Sequence, residues 1–427
     1  MADRDQPTGT STLKDLLWLA GVSLAMLLAL LPFSSYVAAL PIIRREWGLT
    51  NAEAGALYSA YLLGFALASL VVVPLTDRWP PHRVFTASTV ASAITNLLFP
   101  LLAYDFWTGV LFRFVAGWAL VGVYVPGIRL VSARFSHQGR GRAVGAFVSA
   151  FYAGGSLSLA VMGALLPLLG WRGAYLATAL LGGLALPLAV PLVGWGKWDG
   201  GGGAPRGGRL DLRVLGQVGT LLIILAYAMH AWELYIARVW LPPFLAHLLQ
   251  GRGKGPEEAV AQGASLASLM LAAGAVAPFV GGALSDRIGR SLGAAGIFTV
   301  SGTVSFVLGW LAGVPLPALI VVGVLYGFAT AADSAIYSTA ITEEATPHLL
   351  GSTMAFHTFL GFVAGLGAPV AAGRVLDVLP EVARWGFAFG LGGVGALVGI
   401  SAMLAFRIWK GRRAVAPTLS CPAVKET

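Results

Sequence analysis

Two short charged segments recur at corresponding places in the two halves of this 427-residue chain. Each contains an aspartate followed at once by an arginine, Asp77-Arg78 in the first half and Asp286-Arg287 in the second. The two aspartates lie 209 residues apart, close to half the chain, which indicates a duplicated unit with one charged turn per copy. A carboxylate and a guanidinium at a helix end can form charge-assisted hydrogen bonds with neighbouring loops and with a helix N-terminus.

A second set of polar residues falls inside long apolar runs, where a polar side chain is costly and is usually retained for a purpose. The candidates for substrate binding are Arg113, Tyr124, His230, Glu233, Asp333 and His357. The spacing of 230 and 233 predicts that an imidazole and a carboxylate face the same cavity. Arg238 is expected to point elsewhere, nearer the membrane interface.

Three of these residues are also candidates for proton coupling: Asp333, Glu233 and His230. A carboxyl group in a low-dielectric cavity can take up and release a proton, and Asp333 has only a tyrosine, Tyr124, at the matching position of the first half. Arg113 is a candidate anchor for an anionic group. A purely structural pairing of Arg113, and packing roles for both histidines, fit the sequence as well.

Composition indicates the environment of the chain. Hydrophobic residues make up 57% of it and charged residues 11%, and its mean hydropathy is +0.78. This is too little polar surface for a water-soluble globule, and apolar runs of about 20 residues predict membrane-spanning helices. The predicted spans are 16–39, 53–75, 84–103, 107–131, 143–169, 173–195, 214–241, 259–284, 292–311, 318–341, 351–376 and 385–406.

These spans predict an all-α membrane protein of about twelve helices in two pseudo-symmetric six-helix bundles. The bundles occupy residues 1–195 and 214–406, with a flexible Gly- and Arg-rich linker at 196–213 and a tail at 407–427. Nineteen of the 28 lysines and arginines fall in segments on the side of both termini and seven on the other side. The positive-inside rule therefore predicts cytoplasmic termini in a plasma or bacterial inner membrane.

The formal net charge of +9 is spread over short loops, where it would face anionic lipids. We therefore expect membrane lipids as partners, and no nucleic acid. The single cysteine, Cys421, excludes an intramolecular disulfide, and we expect no metal and no cofactor. Catalytic residues are not expected, because the histidines show no metalloenzyme spacing. We expect the chain to act as a monomer.

The second charged segment, Gly-Ala-Leu-Ser-Asp-Arg-Ile-Gly-Arg at 282–290, resembles the GxLxDRxGR loop signature of the major facilitator superfamily. In that family the signature lies between the second and third helices of each half. The first copy is degenerate, with Val73 and Pro80 in place of glycines. An arginine and a glycine at 113 and 117, a basic turn at 139–142 and Gly-Trp-Arg at 170–172 fit the same pattern.

This resemblance implies a carrier that works by alternating access, with a substrate site between the bundles near mid-membrane. It also implies that the charged segments hold the cytoplasmic side closed and that the two glycines of the second copy allow close backbone approach. The gating residues are then Asp77, Arg78, Arg83, Gly282, Asp286, Arg287, Gly289 and Arg290. The same charges would also fit a role as topology markers only.

The run from Tyr227 to Tyr235 is similar to bacterial permeases for small anions such as cyanate, nitrate or monocarboxylates. We therefore predict proton-coupled transport of a small organic or inorganic anion. A drug/proton antiporter is an alternative, although residues 152–156 lack the glycine-proline pair of that group. A transport-inactive sensor or a lipid translocase is a further alternative, because a fold does not determine a function.

Overall fold

The computed structural model describes residues 13–135, 137–193 and 211–415. These residues form helices joined by short turns, and none of them forms a strand. The α-helices are α1 Leu13–Ala29, α2 Ser35–Glu46, α3 Asn51–Arg78, α4 Pro81–Leu102, α5 Phe106–Arg134, α6 His137–Gly183, α7 Ala185–Val193, α8 Val218–Gly251, α9 Pro256–Ala272, α10 Ala277–Ile288, α11 Arg290–Leu308, α12 Leu316–Ala332, α13 Ser334–Glu344, α14 Leu350–Val378 and α15 Glu381–Val415.

The helices combine into six crossings in each half. In the first half, α1 continues into α2, α3 to α5 cross once each, and the long α6 supplies the fifth crossing and, with α7, the sixth. In the second half, α9 pairs with α10 and α12 with α13, while α8, α11, α14 and α15 cross alone. Ten described segments are apolar and long enough to span a membrane, and the 51-residue segment Arg142–Leu192 is long enough for two crossings. The all-α fold predicted from the sequence is confirmed.

Four crossings are broken rather than continuous, which the sequence analysis did not anticipate. Pro32 lies within one break, and Pro187 and Pro278 follow two others; a proline ring clashes with the carbonyl four residues earlier. The fourth break lies at Asp333, between α12 and α13, where no proline is present. There the hydroxyl of Ser334 donates to the carbonyl of Ala331 at 2.8 Å and competes with the helical pattern.

The turn between the fifth and sixth crossings lies at Gly170, whose φ of +63° is a conformation that residues with a Cβ rarely adopt. Directly after it, the indole of Trp171 donates to one carboxylate oxygen of Glu46 at 2.5 Å. Arg172 donates to the other oxygen at 2.9 Å and to the carbonyl of Pro100 at 2.7 Å. The Gly-Trp-Arg motif therefore joins α2, α4 and α6 at one end of the first bundle.

An even number of crossings places both ends of the described chain on the same side of the molecule, termed here the termini face; the opposite side is the far face. Near the termini face each bundle contains its own ion pairs. Arg134 lies 2.9 Å from Asp15 in the first bundle, and Lys410 lies 3.6 Å from Glu344 in the second. The predicted linker at 196–213 lies outside the described residues except for 211–213.

The two bundles meet closely near the far face, where α3 packs against α14. The carboxylate of Asp377 accepts hydrogen bonds from the backbone N–H groups of Asn51 at 2.8 Å and Ala52 at 2.9 Å, at the start of α3. It also accepts one from the side-chain amide of Asn51 at 2.8 Å. Further along the same seam, the hydroxyl of Ser59 donates to the carbonyl of Leu366 at 2.6 Å. The far face is therefore closed by bonds between the bundles.

Candidate functional site

A small cavity lies between the bundles, with walls from both halves of the chain. Its volume is about 30 Å³, room for about two water molecules. The walls combine aromatic rings with hydroxyl groups and one charged side chain, Arg238. The lining residues are Phe33, Ser34, Val37, Tyr58, Phe151, Tyr152, Gly155, Ser156, Leu159, Leu234, Arg238, Leu271, Gly274, Gly327, Thr330 and Ala331. None of the six predicted substrate-binding residues is among them.

Arg238 lies in the cavity wall, so the expectation that it points away towards the membrane interface is wrong. Its guanidinium carbon lies 5.1 Å from the ring centre of Tyr152, within the range of a cation–π interaction between the two bundles. The reason for the error is the length of α8, which continues to Gly251 instead of ending near residue 241. Arg238 therefore lies near the middle of its helix.

Arg113, on α5, is completely buried beside this cavity. Its guanidinium carbon lies 4.4 Å from the ring centre of Tyr61, 5.2 Å from that of Tyr36 and 5.8 Å from that of Tyr58. Among the described residues, none of its three guanidinium nitrogens forms a hydrogen bond of good geometry, and the nearby hydroxyl is that of Tyr175. A buried charge left without a partner costs on the order of 3–5 kcal/mol, and cation–π contacts recover only part of this.

His230 and Asp333 lie together within the second bundle. Nδ1 of His230 is 2.7 Å from Oδ1 of Asp333, and both side chains are buried. The ring of Tyr227 stacks on His357, with centroids 3.8 Å apart, and lies 5.8 Å from the ring of His230. The ring of Tyr337 completes the group at 5.7 Å from His230. The structure thus brings together three predicted residues, from α8, the break after α12, and α14.

Glu233 has hydrogen-bond partners of its own, and the prediction that it shares a cavity with His230 stays a prediction. Its carboxylate accepts hydrogen bonds from Ser301 at 2.9 Å and from Ser305 at 2.7 Å, both on α11. Side chains three residues apart on a helix differ in direction by about 60°, which is enough for them to contact different neighbours. Tyr124 is also outside the cavity wall and packs against Phe151, with ring centres 5.1 Å apart.

The second charged segment forms its ion pairs inside one bundle. Arg290 contacts Asp286 and lies 2.8 Å from Glu343, at the end of α13. Asp286 therefore pairs with Arg290 and not with the adjacent Arg287, which is exposed, as is Arg83. Asp77 and Arg78 lie on α3, but their side chains are outside the described residues. The gating role stays a prediction.

The glycines of that segment act differently from the expectation of close backbone approach. Gly289 has a φ of +89° and no other atom near the place of a Cβ, so it is required by the turn between α10 and α11. A Cβ on Gly282 would have only an ordinary contact, 3.9 Å from the Cβ of Ala335. The close approach occurs instead at Gly281, where a Cβ would overlap the carbonyl of Ala332.

Three residues, two in the cavity wall and one at the far face, were not among the site residues predicted from the sequence. Arg238 could have been recognised, because it is an arginine within an apolar run, but the sequence placed it too close to the membrane interface. Tyr58 was one of many tyrosines with no feature to separate it. Asp377 carried no signal, because its partners on α3 are 325 and 326 residues away in sequence. Among the described residues, no group of three or more His, Cys, Asp or Glu side chains could hold a metal ion.

Comparison with known proteins agrees with this architecture. The family described as the Major Facilitator Superfamily matches residues 22–369. The chain belongs to this superfamily, and it is an integral, multi-pass membrane protein. Its described helices also resemble a crystal structure of a bacterial homologue of the human lysosomal transporter Spinster, with a TM-score of 0.69 at 17% identity over 94% of this chain and 98% of that one.

Curated relatives of the chain carry transporter names. A probable sulfoacetate transporter from Cupriavidus necator is 25% identical over 60% of this chain and 61% of its own length. A gallate transporter from Pseudomonas putida is 26% identical over 58% of this chain and 60% of its own length. The chain spans less than two thirds of the length of the first curated relatives that it matches.

Proposed function

We propose that this protein is a secondary carrier that moves a small organic anion across the membrane by alternating access, coupled to protons. The observation that carries the proposal is Arg113, a fully buried guanidinium whose nitrogens form no hydrogen bond of good geometry with the described residues. A guanidinium only donates hydrogen bonds, so the group it lacks is an acceptor, and a carboxylate or sulfonate supplies two or more acceptor oxygens with the matching charge.

A second arginine from the other bundle strengthens this assignment. Arg238 lines the cavity next to Tyr152, while Arg113 lies behind Tyr58 in the same region. An anion bound between them would attract one cationic group from each half of the protein, as a carrier that closes around its substrate requires. The sulfoacetate and gallate named for the two relatives are both small organic anions, which supports the same substrate class.

The pair of His230 and Asp333 supports proton coupling. Both side chains are buried, lie 2.7 Å apart and belong to different helices, one of them at a helix break. Protonation of this pair would change the interaction between α8 and the α12–α13 crossing, which both contribute to the cavity wall. The other polar side chains of this group are His357, Tyr227 and Tyr337.

The closed far face supports alternating access. In the described part of the chain, the hydrogen bonds between the bundles lie at mid-depth or nearer the far face. Transport would require these bonds to break while the charged segments near the termini face come together. We further propose that the termini face is cytoplasmic in a plasma or inner membrane, on the basis of the lysine and arginine distribution.

Uptake by proteoliposomes tests the proposal. Purified protein should accumulate labelled gallate or sulfoacetate in a saturable manner when a pH gradient is imposed, and Arg113→Gln should abolish binding and uptake. Asp333→Asn should abolish accumulation driven by the gradient while leaving exchange of internal for external anion less affected. The matched control is Glu257→Gln, which neutralises an exposed acid outside the cavity.

The outcomes separate the alternatives. Non-saturable flux that follows the membrane potential would indicate a channel, and ligand binding with no flux at all would indicate a sensor. Driven uptake that is unchanged in Asp333→Asn would remove that residue from proton coupling. Binding of anions that persists fully in Arg113→Gln would contradict the assignment of the anion site.

A further inference from the structure

The hydroxyl of Tyr58 is an uncommitted polar group in the wall of the central cavity. The side chain is only 1% exposed, and its hydroxyl has no hydrogen-bond partner among the described residues. Two other hydroxyls of the same wall are already engaged. Ser34 donates to the carbonyl of Gly155 at 2.9 Å, and Thr330 donates to the carbonyl of Tyr326 at 2.9 Å. Leaving a buried phenol unpaired is costly, so this position favours a hydrogen-bond partner that the described residues do not supply.

Tyr58 also lies between the two arginines of the site. Its ring centre is 5.8 Å from the guanidinium carbon of Arg113, and Tyr58 and Arg238 both line the central cavity. Arg113 is on α5 of the first bundle and Arg238 on α8 of the second. An anion that interacts with both guanidinium groups therefore lies beside the Tyr58 hydroxyl.

The chemistry of the phenol differs from that of its two neighbours. A guanidinium only donates hydrogen bonds, whereas a phenol both donates and accepts. The arginines can donate to an acidic group or to a hydroxyl oxygen, but they cannot accept the hydrogen bond that a substrate hydroxyl donates. The oxygen of Tyr58 can accept a hydrogen bond from the substrate hydroxyl. Its own O–H can donate a hydrogen bond to a second acceptor.

We propose that Tyr58 is a specificity-determining residue, and that the preferred substrates are organic acids carrying a hydroxyl group in addition to the acidic group. This inference rests on the proposed function, since it assumes an organic anion between the arginines. The acidic group binds the guanidinium groups, and the additional hydroxyl exchanges a hydrogen bond with Tyr58. A site built to pair a substrate hydroxyl discriminates strongly against the analogue that lacks it.

Binding of matched acids tests the proposal. Dissociation constants are measured for benzoate and for its 2-, 3- and 4-hydroxy derivatives on purified wild-type protein, Tyr58→Phe and the control Tyr104→Phe. Tyr104 is 68% exposed and is not among the residues that line the cavity. We expect wild type and Tyr104→Phe to bind at least one hydroxybenzoate about tenfold more tightly than benzoate, the value of one hydrogen bond.

In Tyr58→Phe this preference should fall to within about twofold, with the dissociation constant for benzoate unchanged. The thermal unfolding temperature without ligand should be equal to or above that of wild type, because the substitution removes an unpaired buried hydroxyl. Binding of benzoate and hydroxybenzoates without preference in wild type, or a preference that survives in Tyr58→Phe, would overturn this inference alone. Failure of every acid to bind wild type would overturn the proposed anion site as well.

Discussion

The contact between Asp377 and the start of α3 offers a quantitative test of how the two bundles separate. Its carboxylate accepts three hydrogen bonds, two from Asn51 and one from the backbone N–H of Ala52, at 2.8–2.9 Å. In Asp377→Asn, a single neutral carbonyl oxygen replaces the two charged oxygens. At least one hydrogen bond is lost, together with the favourable interaction between a negative charge and a helix N-terminus.

The expected size of this effect follows from the geometry. Hydrogen bonds to charged groups contribute about 1.5–3 kcal/mol each, and partial exposure of Asp377 reduces this value by solvent screening. We therefore expect Asp377→Asn to destabilise the state with a closed far face by about 1–3 kcal/mol. Because the contact is absent once the bundles separate there, the equilibrium shifts about 5–150-fold towards opening.

Accessibility of a cysteine in the cavity measures this shift. Cys421 is the only cysteine, so Cys421→Ser provides a background without thiols. Ser156→Cys then places one thiol in the cavity wall. A thiol reagent that does not cross membranes, added on the side of the far face, should label this position about 5–150 times faster in Asp377→Asn than in the parent.

The matched control is Glu381→Gln. Glu381 is an acid at the same end of the second bundle, but its described ionic contacts, with Arg384 and His247, remain within that bundle. This control should label at the rate of the parent. Equal labelling rates in Asp377→Asn and the parent, or an equal increase in Glu381→Gln, would refute the assignment of Asp377 to closure of the far face.

Two other predictions concern packing and gating. A Cβ on Gly117 would overlap the carbonyl of Tyr61, so Gly117→Ala should lower the free energy of unfolding by about 1–3 kcal/mol. A Cβ on Gly145 would meet open space, so Gly145→Ala should change the free energy of unfolding little. Similar unfolding curves of the two variants in detergent would contradict this prediction. Asp286→Asn removes one partner of Arg290 and should slow turnover in proteoliposomes with little change in substrate affinity. A defect confined to affinity would argue against the gating role.

Sequence reasoning succeeded where the signal is local. The apolar runs predicted the all-helical fold because a membrane helix needs its hydrophobic residues in one continuous stretch. The helix breaks near Pro32, Pro187 and Pro278 could have been predicted from the sequence as well, because a proline disturbs the helix that contains it. The break at Asp333 was not, because serine and aspartate interrupt a helix only in particular surroundings.

Placement of the site residues depended on information outside any single helix. Arg238 was assigned too close to the interface because the end of α8 was placed about ten residues too early. Glu233 and His230 are neighbours in sequence, yet one contacts serines of α11 and the other contacts Asp333. Their partners depend on which helices pack on each side of α8.

By itself, the sequence determined a membrane-embedded helical protein built from two related halves, and it identified Arg113 and Asp333 as unusual residues. Hydrophobicity and repetition are properties of the chain that need no partner to be recognised. Only the tertiary structure decided that no described residue forms a well-aligned hydrogen bond with Arg113, that Arg238 and Tyr58 face the central cavity, and that Asp377 joins the bundles. These facts depend on distances between segments that lie dozens to hundreds of residues apart in sequence, which are set by the packing of whole helices.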